Sequence, residues 1–172
     1  MGLECVCLGQ KDMKSFNSFG AFAQHLAALG SVAAFDAVNH HLLEESAQMI
    51  EKRAKDKIGE YQAAAGQFAA WAPLTQSTKE DRVRQGFPDD EPLLRTGGMR
   101  DSIEHKSDSQ EAHIGSDSDI AKYQELGTSK IPPRSFLGGA AFEKASEVVD
   151  LIGEGMTMHL EGKGLAKVEI KY

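Results

Sequence analysis

Cysteine is nearly absent from this 172-residue chain, which holds only Cys5 and Cys7. Because they are one residue apart, their side chains would alternate to opposite faces of a strand, which is poor geometry for a disulfide. Two thiols with no histidine near them also fall short of the ligand set of a structural zinc site. We therefore expect ordinary reduced thiols near a frayed N-terminus.

Long apolar runs are missing as well. Residues 1–16 lack the apolar core of a secretory signal peptide, and no window approaches the roughly 20 apolar residues of a membrane span. We therefore expect a protein that is made in the cytosol and has no membrane partner.

Positive charge is in short supply. The chain has 19 lysine and arginine residues against 26 aspartate and glutamate residues, for a formal net charge of −7. Proteins that coat DNA need clustered basic side chains, so this composition argues against a general DNA-coating role. Hydrophobic residues make up 41% of the chain, which is enough to bury a core. We expect a flexible segment over residues 1–15 and a single domain over residues 16–172.

Catalytic and nucleotide-binding motifs are also missing. The sequence contains no GxSxG, no GxxxxGK[ST] and no GxGxxG, so an enzymatic function has little support. His40 and His41 are followed by Glu44 and Glu45 at a spacing that suits metal chelation. The two pairs point about 100° apart on a helix and do not converge. A solvated helix face is therefore the favoured interpretation.

Apolar residues recur at helical spacing in two long stretches, over residues 18–29 and 32–61, and the second is the longest helical pattern in the chain. We expect the core-facing side chains of that long helix to be Leu43, Ala47, Ile50, Ala54, Ile58 and Tyr61. Shorter helices are predicted over residues 77–85, 119–126 and 139–152, the last with a stripe of Phe142, Ala145, Val149 and Ile152.

Alternating patterns predict three short strands. Residues 99–106 and 112–115 are separated by the polar loop 107–110, which is typical of a hairpin. Residues 166–172 alternate apolar and polar side chains and predict a last strand. The order of elements indicates an α+β fold: a small, mostly antiparallel β-sheet flanked by helices, with a long N-terminal helix.

The stretch between the last two helices is stiff. Gly127 stands where the preceding helix ends, and we expect it to take the left-handed conformation there. Pro132 and Pro133 hold the chain extended and present Arg134 in a fixed position. Such a segment suits docking against another subunit at low entropic cost. A purely structural crossover between two helices explains it equally well.

Two side chains carry more specific expectations. We expect Arg134 to pair with a carboxylate, either within the subunit, where Glu125 is one candidate, or on a neighbouring subunit. Trp71 is the only tryptophan, and we expect it to anchor the loop after the long helix in the core or at its rim. The functional alternative is an interface anchor, since tryptophan is enriched at binding hot spots.

Five short pieces carry a family resemblance: WAPL with a following Thr-Lys, PLLRTGGMRDSI, HIGSD, YQELGT and IPPRSFL. In this order they resemble the neck and tail-completion proteins of long-tailed bacteriophages and prophages, often described as phage virion morphogenesis proteins. The resemblance covers roughly residues 16–160. The positions that match, which we expect to determine fold and assembly rather than to bind ligands, are Trp71, Gly97, Tyr123, Gly127, Pro133, Arg134 and Phe136.

The resemblance implies a structural protein of the head–tail junction, with no catalytic residues and no cofactor. Such proteins assemble as rings, commonly of six copies, that complete the tail tube or join it to the head connector. The implied partners are copies of the chain itself, the connector and the tail tube, while DNA passes through the ring without sequence-specific binding. The implied location is the virion neck, after assembly in the host cytoplasm.

Two interpretations from other classes stay open at this point. A non-viral binding module would use an exposed sheet edge to recruit a peptide. A metal-dependent enzyme would use His40 and His41. Within the phage interpretation, tail completion or tail termination is slightly favoured over head closure.

Overall fold

The computed structural model describes residues 17–162. They form six helices and a two-stranded antiparallel sheet: α1 (Phe19–Leu29), α2 (Val32–Asp56), α3 (Gln76–Arg84), α4 (Gly98–Asp101), β1 (Ile103–Ser107), β2 (Ala112–Ser116), α5 (Asp119–Leu126) and α6 (Leu137–Leu160). This is the predicted α+β class with a long helix near the N-terminus. The two cysteines and the predicted strand over residues 166–172 lie outside the described residues.

The long helix α2 begins at Val32, as predicted, and ends earlier than expected. The Ser31 Oγ accepts a hydrogen bond from the Ala34 N–H at 3.2 Å, which satisfies a free donor of the first turn. The helix stops at Asp56, and Gly59 turns the chain with a φ of 109°. The Gly59 N–H donates to the Pro92 carbonyl at 2.9 Å. A tertiary hydrogen bond thus accompanies an end that helical periodicity alone does not indicate.

The buried band of α2 is shifted from the predicted one. Leu43 and Ile50 are only half-buried, and Tyr61 lies beyond the helix. The side chains of this region that are buried and apolar are Val38, Leu42, Ala47, Met49, Ala54 and Ile58. The shift arises because α2 packs against two elements, α6 and the β1–β2 hairpin, so its buried surface is wider than a single stripe.

The predicted core face of the last helix is wrong at three of its four positions: Ile152 packs against the core, but Phe142, Ala145 and Val149 do not. Phe142 and Val149 are exposed, while Ala140, Leu151 and Gly155 are buried. Gly155 lies against Leu42 of α2, and a Cβ atom at this position would overlap the Leu42 side chain. Small residues let two helix backbones approach closely, so they occupy the interface although larger apolar side chains are available nearby.

Two clusters of buried side chains form the core, and α2 contributes to both. The larger one comprises Ala54, Ile58, Trp71, Ile103, Ala121, Phe136 and Ala140. The smaller one comprises Val38, Leu42, Met49 and Leu151. The larger cluster joins α2 to β1, α5 and the start of α6, and it therefore sets the position of the segment between α5 and α6.

The predicted pairing of the hairpin is confirmed, but the predicted start of its first strand is wrong. Residues 98–101 form the short helix α4, so the predicted strand 99–106 begins only at Ile103. Gly97 precedes that turn with φ 85° and ψ −18°, a left-handed conformation that favours glycine. Ile103 pairs with Ser116, and the strands run antiparallel to the loop after Ser107.

No single helix within residues 17–162 is long and apolar enough to cross a membrane; parts of α1 and α2 reach that length and composition only together, across a bend of 53°.

Candidate assembly surface

Most of the seven residues singled out by the family resemblance converge on one region. We call residues 127–136, between α5 and α6, the α5–α6 linker. Trp71 and Phe136 belong to the same buried cluster. Arg134 donates to the carbonyl next to Trp71, and Pro133 packs against Gly127. The sequence motif therefore marks a structural unit that joins distant parts of the chain.

Gly127 has a positive φ, as expected, but not the left-handed helical conformation. Its φ is 72° and its ψ is 174°, a combination available essentially to glycine alone. A Cβ atom at this position would lie 2.9 Å from the Pro133 Cδ and 3.0 Å from the Ile131 carbonyl oxygen. Gly127 is therefore required by its backbone angles and by the closeness of the returning chain.

Arg134 is buried and bonded to oxygens of neutral groups. Its Nε and Nη2 donate to the Ala72 carbonyl at 3.2 and 2.8 Å, and its Nη1 donates to the Gln124 Oε1 at 3.4 Å. Burial lowers the pKa of the guanidinium, because removal from water disfavours the charged form. The predicted pairing of Arg134 with Glu125 is wrong, because Glu125 has another role.

Glu125 caps the first turn of α6. Its Oε2 accepts hydrogen bonds from the N–H groups of Phe136 and Leu137 at 2.7 and 2.9 Å, and its Oε1 accepts from the Gly138 N–H at 2.9 Å. The Ser135 hydroxyl also donates to this carboxylate. The free N–H groups and the positive end of the helix dipole stabilise a negative charge at this place. Glu125 thereby links the end of α5 to the start of α6.

The opposite side of α5 is apolar and exposed. Ile120, Tyr123 and Leu126 have exposed fractions of 62%, 49% and 70%, and we call these three side chains the outer face of α5. Tyr123 is thus a motif residue whose aromatic side chain contributes to the surface rather than to the interior. A row of exposed apolar side chains is typical of a surface that contacts another molecule.

The outer side of α6 has the same character. Phe142 and Val149 are exposed there, and the Phe142 ring meets the Phe68 ring edge to face at a centroid distance of 6.4 Å. These are the side chains whose periodicity predicts a buried face. The apolar side chains do recur at helical spacing, but within the described residues of one subunit no other element covers Phe142 and Val149 fully.

The hairpin is fastened to α2 by charge. The His105 ring contacts two carboxylates, that of Glu44 at 3.0 Å and that of Glu51. The Ser107 hydroxyl donates to Glu44 as well. Hydrogen bonds from Ser107, His105 and Gln48 lower the pKa of Glu44 to about 2. Hydrogen bonds to Glu51 and Glu44 raise the pKa of His105. We call Glu44, Glu51, His105 and Ser107 the hairpin clamp.

Metal chelation by the two histidine–glutamate pairs receives no geometric support. His41 contacts Glu45 at 3.3 Å, whereas Glu44 turns to the hairpin clamp. Residues 17–162 contain no group of three or more histidine, cysteine, aspartate or glutamate side chains arranged to hold a metal ion.

A comparison with protein-family models identifies the chain. Residues 21–156 match the model of the phage virion morphogenesis family, which covers well over half of the sequence. The chain belongs to this family. No curated protein and no solved structure matches the chain. Membership in the phage virion morphogenesis family supports a structural role in the assembly of phage particles and implies a virion-associated protein.

The match to the phage virion morphogenesis family contains all seven motif residues together with both faces of α5. Sequence patterns miss three features of this region: the cap formed by Glu125, the exposure of α6, and the burial of Arg82 on α3. Glu125 precedes the helix it caps by more than ten residues, so no capping-box spacing signals it. The helical periodicity of α6 is visible in the sequence, but which of its faces is buried is not.

Proposed function

We propose that this member of the phage virion morphogenesis family is a structural protein of the virion neck. It forms a ring that completes or terminates the tail and joins it to the head connector. Tail completion or termination is the first role we assign to it, and head closure the second. The resemblance of the five sequence pieces to neck and tail-completion proteins motivates the position in the particle.

The outer face of α5 is the observation that carries this proposal. Three exposed apolar side chains stand on a helix whose other side is held firmly by Ala121 and Glu125. Apolar area is stabilised when it is covered, at about 25 cal/mol per Å². A neighbouring subunit in the virion provides that cover.

The hairpin favours the same conclusion. A two-stranded sheet is marginal in water by itself, and within the described residues β1 and β2 pair only with each other. Free sheet edges invite uncontrolled pairing, while contacts that close into a ring consume them. The net charge of −7 suits a conduit through which DNA slides without adhering. We expect six copies in the ring.

Electron microscopy tests the role and the position. Particles produced without this protein should accumulate as separate heads and tails, with tails that lack a finished upper end. Cryo-electron microscopy of complete particles should show a ring of this protein at the neck. The contacts between its subunits should involve the outer face of α5, the hairpin or the α5–α6 linker. A single copy per virion, or a location on the outer capsid lattice, would contradict the proposal.

A further inference from the structure

A pocket of about 410 Å³ opens beside α5, between α3 and the loop that precedes α4. Three arginines line it, Arg82, Arg95 and Arg134, together with apolar side chains that include Leu93, Met99 and Ile120. We call it the arginine pocket. Three cations in one cavity are a local exception on a chain whose acidic residues outnumber its basic ones, 26 to 19.

Two of the three positive charges are buried without an ion pair. Arg82 and Arg134 are each 5% exposed. Arg82 donates from Nε to the Pro88 carbonyl at 2.7 Å and from Nη2 to the Leu94 carbonyl, and Arg134 donates to Ala72 and Gln124. The arginines that form ion pairs within residues 17–162 are others: Arg53, Arg95 and Arg100. Buried charges are normally paired, so the described chain leaves this pocket positive.

The third arginine lies at the rim of the pocket, and its ion-pair partner can be exchanged. Arg95 pairs with Asp81 at 2.8 Å, and both side chains are partly exposed. A surface ion pair of this kind contributes little free energy, so an incoming carboxylate can replace Asp81 at small cost.

The wall of the pocket is apolar and contains a strained residue. Leu93 has a φ of 64°, in the region that side chains rarely adopt. Its neighbour Pro92 accepts the Gly59 N–H, so the strained turn is held by the end of α2. Strained backbone that the surrounding structure maintains is concentrated at binding sites. Ile120 joins the pocket to the outer face of α5.

We propose that the arginine pocket binds an aspartate or glutamate side chain, next to an apolar residue, on a neighbouring copy of this chain. The planar guanidinium group of Arg95 matches a carboxylate through paired hydrogen bonds once Asp81 is replaced. Arg82 and Arg134, whose donors already bind carbonyl and amide oxygens, add positive charge to the pocket. The apolar wall receives the residue beside the acid. Charge complementarity selects a second copy, because the acidic chain itself supplies carboxylates in excess. This inference rests on the proposed ring, and it assigns the contact that closes it.

The pocket is tested first on the purified protein with a blocked dipeptide, acetyl-Leu-Asp-amide. The methyl signals of Met99 and Ile120 in NMR spectra should shift saturably as this probe is added. The neutral analogue acetyl-Leu-Asn-amide should bind about tenfold more weakly, since it lacks the charge-assisted hydrogen bonds. Equal binding of both probes, or no saturable shift, would overturn the proposal. Inorganic phosphate that shifts the same signals at lower concentration would overturn it in favour of a nucleic-acid phosphate.

A rim variant provides the matched control. Arg95→Gln should weaken binding of acetyl-Leu-Asp-amide several-fold and leave the unfolding curve nearly unchanged, because its ion pair is exposed. Arg84→Gln, an exposed arginine of α3 outside the pocket, should leave binding unchanged. If Arg84→Gln weakens binding as much as Arg95→Gln does, the site is not this pocket.

Crosslinking in assembled particles identifies the occupant. A photoreactive amino acid at position 120 should give a product of two copies of this chain, joined at a peptide that contains an acid beside an apolar residue. The same group at position 83, an exposed valine of α3 outside the pocket, should not give it. Crosslinks only to another virion protein, or only to DNA, would overturn the assignment of a second copy. A ring at the neck with an empty pocket would leave the proposed function intact and remove this inference alone.

Discussion

The two sides of α5 differ in what they contact. On the inner side, Ala121 is buried in the larger core cluster, Gln124 binds Arg134, and Glu125 holds the start of α6. The outer face of α5 is exposed and apolar. One helix of eight residues thus stabilises the subunit with one side and exposes the other, which we propose contacts a neighbouring subunit. In this proposal, residues of a single sequence motif serve folding and assembly separately.

The hairpin shows the same contrast with charge in place of apolar area. His105 and Ser107 point to α2 and join the hairpin clamp, while Glu104 and Lys106 are exposed on the other side of β1. Alternation along a strand places successive side chains on opposite faces. Substitutions on the inner sides should change the stability of the subunit, and those on the outer sides should change assembly.

The largest effect on stability is expected for Gly127→Val. The positive φ and the overlap with Pro133 together should lower the free energy of unfolding by about 3 kcal/mol. Chemical denaturation measures this change. Gly153→Ala is the matched control, because a Cβ atom there meets nothing within 4 Å and alanine favours a helix. An unfolding curve for Gly127→Val that equals the parent curve would show that the α5–α6 linker can adopt another backbone conformation without loss of stability.

Glu125→Gln should have the next largest effect. The amide keeps an acceptor but removes the charge at the start of α6, which should lower the free energy of unfolding by about 2 kcal/mol. Glu154→Gln, on the exposed side of α6, provides the control. If both variants unfold at the same denaturant concentration, the cap does not stabilise the junction of α5 and α6.

The hairpin clamp should make stability depend on pH. The pKa of His105 is raised, so its contribution is complete below the ordinary value of 6.5 and is lost as the pH rises through the higher folded value. The pKa of Glu44 is lowered, so its contribution is present above the ordinary value of 4.5 and is lost as the pH falls towards about 2. The clamp should therefore be strongest between pH 4.5 and 6.5.

Unfolding curves at about pH 6 and about pH 9 test the upper limit of this window. The parent protein should lose more stability over that interval than His105→Gln, which has no charge to lose. His113→Gln, an exposed histidine paired with Glu111 on the surface, should behave like the parent. An equal loss in the parent and in His105→Gln would exclude the clamp as its source.

The smallest effect on stability is expected on the outer face of α5. The double variant Tyr123→Ser with Leu126→Ser should change the free energy of unfolding by less than about 0.5 kcal/mol. Infectious particles should nevertheless fall by at least about tenfold, because aromatic anchors dominate interfaces. Lys122→Ser, also exposed on α5, serves as the control. Normal particle yield with the double variant would remove the outer face from the assembly contact.

Local features of the fold were predictable from the sequence. The bounds of α5 and the pairing of the hairpin agree with the structure. The positive φ of Gly127 also agrees. In each case the deciding interaction spans only a few residues, or, for the hairpin, the length of one short loop.

The candidate site was predictable only in part. The motif indicates Trp71, Arg134 and Phe136, and the structure places all three in or against the interior. The partner of Arg134 and the exposure of Tyr123 were not predictable. A guanidinium is satisfied by any acceptor within reach, and which acceptors are near depends on how distant segments pack.

The sequence by itself determined where most helices and strands lie, because caps, glycines and hydrophobic periodicity act over about one helical turn. The tertiary structure alone decided which sides of those elements are buried. Gly155 lies against Leu42 where α6 packs on α2, while Phe142 and Val149 of the same helix are exposed. The physical reason is that burial depends on the closeness of residues far apart in sequence, which the local pattern of apolar side chains does not specify.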